Sequence, residues 1–133
     1  MEKKYSKNKP AYTLNMPAFV KRVRKALDNK TIAILDKNYS ATACYYEYAD
    51  GTNCVIGSGL PKTVIAELKD RDRNGSGLSE LIEDGLIKVP EKFKDRLLAL
   101  QDAHDNEDVK GMRSKFRHLE ASVKKQYPAS FAA

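Results

Sequence analysis

Histidine and cysteine are scarce. The chain has two of each: Cys44, Cys54, His104 and His118. They lie too far apart in sequence to make the clustered ligand set of a structural zinc site. Two thiols build no disulfide framework, and with no secretion signal they are expected to stay reduced. No apolar run approaches the ~20 residues that cross a bilayer. The N-terminus, Met1-Glu2-Lys3-Lys4-Tyr5-Ser6-Lys7, is charged and lacks the apolar core of a signal peptide. A cytoplasmic protein that does not engage a membrane is expected. Internal repeats, a Walker phosphate-binding sequence, zinc fingers and the aromatic RNA-binding signatures are also missing.

What is present is enough for one domain. The 133 residues are 41% apolar, too apolar for a disordered chain. A domain of this length buries roughly two thirds of its unfolded surface, so it folds without metal or disulfide. The charge is segregated. Residues 1–30 hold nine Lys/Arg against two acids, residues 31–108 nine against fifteen, and residues 109–133 six against one. Two basic ends flank an acidic middle. Should the ends meet in space, they form a face suited to an anionic partner.

Residues 1–14 read as a flexible basic arm, residues 15–127 as a single domain and residues 128–133 as a tail. Asn15 is a helix cap followed by Pro17 in the first turn, and Phe19, Val20, Val23 and Leu27 recur at helical spacing. Thr31 to Leu35 is either a strand or a helical piece. Ala43 to Tyr48, the Asp50-Gly51 turn and a return strand Cys54-Val55-Ile56 predict a β-hairpin that puts the two cysteines on opposite faces. A helix after Leu60-Pro61 carries Val64, Ile65 and Leu68. A short helix capped by Ser76 and stopped by Gly85 carries Leu78, Leu81 and Ile82. Leu86 to Val89 is extended, and Pro90 ends it. Two closing helices have stripes Phe93, Leu97, Leu100, His104 and Val109, Met112, Phe116, Leu119, Val123, Tyr127. Asn106 caps the second, and the short connection makes them antiparallel. The fold class is α+β: a hairpin, with or without a third strand, packed against four to five helices.

Four constellations have chemical meaning. Asp70, Asp72 and Asn74, followed by Gly75, open like a calcium loop. The twelfth position is Leu81 where a bidentate Glu belongs, and Gly77 holds the eighth, so no metal is assigned. Cys54, His104 and Asp105 supply the residue types of a thiol enzyme. The stripe continued by His104 and the apolar neighbours of Cys54 favour core roles, and no catalytic residue is assigned. Gly57-Ser58-Gly59, followed by Lys62 at a helix start, is a generic cradle for a nucleotide or phosphate. Paired glycines also serve backbone geometry alone. Lys21, Arg22, Arg24 and Lys25 give a basic segment for an anionic partner, with Tyr39, Tyr45, Tyr46 and Tyr48 as stacking residues. Tyrosines in a hairpin equally pack under a helix.

The segments Tyr48 to Gly57 and Leu100 to Asp105 resemble small proteins of tailed phages and prophages. There a Cys-x-x-Gly strand end leads to a Leu/Ile-Pro step, here Leu60-Pro61, and a later helix ends in Leu-Gln-x-x-His-Asp. The likeness spans residues 15–125 and rests on these two motifs. It implies a bacterial host cytoplasm and supplies no catalytic residues or cofactor. Together with the missing catalytic set and the segregated charge, it leads to the expected function. This is a non-enzymatic phage accessory protein that binds and modulates a host macromolecule, as an anti-defence or host-takeover inhibitor. A host protein is the expected partner. Nucleic acid bound through the basic N-terminal segment and a nucleotide held at Gly57–Lys62 are the alternatives.

Overall fold

The computed structural model describes residues 12–32, 46, 53–74, 76–105 and 109–131, and the side chains of His104, Asp105 and Val109 lie outside that description. Among the described residues the order is β1 (Tyr12–Thr13), α1 (Met16–Asn29), α2 (Val55–Ser58), α3 (Lys62–Asp70), α4 (Leu78–Glu83), β2 (Ile87–Lys88), α5 (Glu91–Asp105) and α6 (Val109–Gln126), closed by a 3-10 turn, Pro128–Phe131. The α+β class holds, with helix dominant. None of these helices is long and apolar enough to cross a membrane.

The helices begin and end where their sequences dictate. Asn15 Oδ1 accepts from the Ala18 amide at 3.1 Å, with Pro17 in the first turn. Lys30, at φ 58°, ends α1 in a left-handed turn: its amide bonds Leu27 O, and the Thr31 amide bonds Ala26 O. This is a Schellman cap on a residue with a Cβ. Gly85, at φ 76°, stops α4. The cap of α4 is Gly77, one residue after the expected Ser76. The Glu80 carboxylate accepts from the Gly77 amide at 2.9 Å, while Ser76 Oγ accepts from Arg73.

The expected stripes make the core. Phe19, Val20, Val23 and Leu27 of α1, Phe93, Leu97 and Leu100 of α5, and Met112, Phe116, Leu119 and Val123 of α6 are buried together. Each such side chain contributes roughly 1.5–3 kcal/mol. Helices α5 and α6 are antiparallel. Lys92, near the start of α5, donates to Gln126, at the end of α6, and the Phe93 and Tyr127 ring centroids are 6.4 Å apart. Helix α1 also lies along α6, and α2 lies between α1 and α5.

Two expectations about strands are corrected. The sheet among the described residues is a parallel pair, Tyr12 against Ile87 and Thr13 against Lys88, with α1 to α4 in the crossover. Tyr12 and Thr13, placed by sequence in the arm, are therefore part of the fold, while residues 1–11 lie outside the described residues. The return strand Cys54-Val55-Ile56 is instead the cap and first turn of α2. Cys54, Val55, Ile56 and Gly57 are all buried, which a strand with one solvated face does not allow. The first hairpin strand, apart from Tyr46, and the Asp50-Gly51 turn lie outside the described residues. So do residues 33–35 and Asn106. Ile32 makes an isolated parallel bridge to Asn53.

The two glycines flanking Ser58 are required by close approach. A Cβ on Gly57 would stand 2.1 Å from the Tyr46 carbonyl oxygen, and one on Gly59 would stand 2.3 Å from the Phe19 ring. Gly59→Ala must push α2 away from α1, at a cost of about 1–3 kcal/mol. The thermal midpoint of that variant is expected to fall by several degrees. An unchanged midpoint would mean that the contact with Phe19 relaxes freely.

Candidate anionic-partner interface

The cations of α1 divide into engaged and displayed groups. Lys21 Nζ donates to Ser130 O at 2.6 Å and stands 5.1 Å from the Phe131 ring centroid. Arg22 donates to Gly59 O at 3.4 Å, closing the C-terminal end of α2. Arg24 makes a bidentate pair with Glu120, at 3.1 and 2.8 Å, lies 3.9 Å from Asp28, and covers the Phe116 ring at 5.1 Å. The Glu120 hydrogen bond raises the Arg24 pKa; burial works against this, and the Glu120 and Asp28 charges add to it. Lys25 is exposed. Of the four, Arg22 and Arg24 act chiefly as structural groups, a role that the basic cluster in sequence did not reveal.

These contacts bring together α1 and α6, the described parts of the two basic ends. Glu120 and Phe116 belong to α6, and Ser130 and Phe131 follow it, so α1 and α6 share a seam. Lys124 Nζ also reaches the Phe131 ring, at 5.7 Å. Beside the seam, Lys110, Arg113, Arg117 and Lys124 are all exposed. Their steps of three, four and seven residues put them within about 60° of arc on α6. Lys21 and Lys25 form a second exposed row on α1. The α6 residues were missed in sequence because only the net charge of residues 109–133 was noted. Reading that segment at helical spacing reveals the stripe.

Other candidate residues fall elsewhere. Gly57 and Ser58 lie within α2 and Gly59 caps it; Ser58 Oγ donates to Val55 O at 2.7 Å. Lys62 opens α3 and, with Ile65, Ala66, Lys69 and Asp70, lines an open groove of about 600 Å³. Asp70, Asp72 and Asn74 form a helix end. Asp72, at φ 59°, is the left-handed residue of a second Schellman cap, with its amide on Lys69 O and the Arg73 amide on Leu68 O. Arg71 pairs with Glu67 at 2.8 Å, Arg73 pairs with Asp84 at 2.7 Å, and the Asn74 carbonyl accepts from the Tyr46 amide. Gly75 lies outside the described residues. Among those residues, no group of three His, Cys, Asp or Glu is placed to hold a metal ion.

Cys54 is a free thiol with no exposure, and its Sγ accepts from the Gly57 amide at 3.2 Å. Of the tyrosines considered for stacking, Tyr46 is buried, and its hydroxyl donates to Ser76 O at 2.6 Å. Tyr39, Tyr45, Tyr48 and Cys44 lie outside the described residues. No family model matches the chain, and no curated protein or solved structure matches it.

Two outcomes are expected here. In a Cys44→Ser background, Cys54 should react with a disulfide reagent about a hundredfold more slowly in the native protein than in denaturant, as a buried thiol does. Rapid native labelling would reopen the nucleophile role. Glu120→Gln should cost about 0.5–1 kcal/mol by thermal melting, a modest figure because Arg24 is 38% exposed. Salt should shrink the difference.

Proposed function

We propose that the protein is a non-enzymatic binding protein that engages an anionic macromolecule of a bacterial host through the α1–α6 face. The observation that carries this reading is the seam itself. It joins α1 to α6, the described parts of the two basic ends, and the Arg24–Glu120 pair ties them together while Lys21, Lys25, Lys110, Arg113, Arg117 and Lys124 remain exposed. A surface of one sign raises the local concentration of an oppositely charged partner and speeds encounter. The buried, capping role of Cys54 supports binding over thiol chemistry. The host setting, and with it the role of anti-defence or host-takeover factor, rests on the phage resemblance of the two sequence motifs.

The test is capture of partners from bacterial lysate by the tagged protein, beside a variant with Lys25, Arg113 and Arg117 changed to Gln. A partner retained by the native face and lost with the variant is expected. Capture that is indifferent to the three substitutions would overturn the assignment to this face.

A further inference from the structure

Resting on that reading of the α1–α6 face, we infer that its partner is the phosphate backbone of a double-stranded nucleic acid. The make-up of the face decides between the anionic classes. Protein–protein interfaces have cores depleted of charge and anchored by aromatic side chains in pockets. Here the exposed residues flanking the seam include Lys21, Lys25, Lys110, Arg113, Arg117 and Lys124, with Asp28 as the exposed acid beside Arg24. The one aromatic ring at the surface end of the seam, Phe131, stands under two ammonium groups. A polar and strongly positive surface is what protein–DNA interfaces have.

The two carboxylates beside the seam are offset in part. Glu120 and Asp28 stand 2.8 and 3.9 Å from the Arg24 guanidinium. Arg24 thus acts as the internal counter-ion of Glu120, which leaves the one net negative charge of Asp28 against the six exposed cations.

The dimensions also fit. Fourteen residues separate Lys110 from Lys124, about 21 Å of helix, or roughly six steps of a duplex strand at 3.4 Å each. The rows on α1 and α6 are separated by about the interaxial distance of packed helices, roughly 8–10 Å. That lies between the widths of the two grooves of B-form DNA, about 6 and 12 Å. For two rows at this separation to straddle one groove, the long Lys and Arg stems have to make up a difference of about 2–4 Å. Such contacts fix register without reading bases, so binding is independent of sequence.

The test is fluorescence anisotropy of the full chain with 20-base-pair DNA and RNA duplexes of arbitrary sequence, at 50 to 200 mM salt. With six phosphates contacted on DNA, the log–log slope of affinity against salt is expected near −5, a loss of about a thousandfold across that range. Lys110→Gln with Arg113→Gln and Arg117→Gln should cut the slope by about half, with the fold checked by circular dichroism. If the triple variant does not fold, Arg117→Gln alone should reduce the slope by about one. Lys88→Gln with Arg96→Gln, two exposed positions outside α1 and α6, should leave it unchanged. Equal weakening by this pair would overturn the face in favour of net charge. Binding of only one duplex type supports the inference and names the source of the phosphates. If polyglutamate binds and neither duplex does, the nucleic-acid inference falls while the broader reading stands. If none binds, both fall.

Discussion

A four-residue helix with three of its residues buried sets the constraint around which the molecule is arranged. Helix α2 is too short to satisfy its own backbone, and buried amides and carbonyls must find partners. Each end has found one. Cys54 Sγ accepts the Gly57 amide, Ser58 Oγ donates to Val55 O, and Arg22 reaches from α1 to Gly59 O. Before the helix, Asn53 donates its side-chain amide to the Tyr46 carbonyl at 2.8 Å and its backbone amide to Thr31 O. The absence of a Cβ at Gly57 and Gly59 brings these partners within reach, because a methyl group at either would collide with Tyr46 or Phe19. The apolar side of the same arrangement is the contact of Val55 and Ile56 with the core that α1, α5 and α6 complete.

Packing of α1 against α6 then sorts the charges. Arg24 pairs with a carboxylate of α6, Arg22 reaches a carbonyl while staying exposed, and Lys21 ties down the 3-10 turn that follows α6. Six cations of α6 are left on the surface, four of them along one edge and Lys115 and Lys125 outside it. A bidentate pair such as Arg24–Glu120 adds little stability when partly exposed. Its larger consequence is to fix how α1 lies on α6, and with that the spacing of the two rows of exposed charge.

The misread segment shows how local signals mislead. Cys54-Val55-Ile56 has strand-forming residues shortly after a favoured turn dipeptide, and local propensity supports a strand. Burial on all sides overrides it. The same holds for Asp70-Arg71-Asp72-Arg73-Asn74. The alternating oxygen ligands imitate a calcium loop, but backbone hydrogen bonds from Asp72 and Arg73 close the end of α3, and both arginines are held by nearby carboxylates.

The sequence by itself determined the helices α1, α3, α5 and α6, their apolar stripes, the Asn15 cap, the Gly85 stop and the antiparallel closing pair. All of these depend on the period of 3.6 residues and on side chains within one turn of each other. It also determined that both ends of the chain are basic. Only the tertiary structure decided that α1 and α6 lie side by side, that Arg24 is taken up by Glu120, and that α6 carries the longer row. The physical reason is separation along the chain. Arg24 meets Glu120 across 96 positions and Lys21 meets Ser130 across 109, and no local pattern specifies which distant group will neutralise a charge.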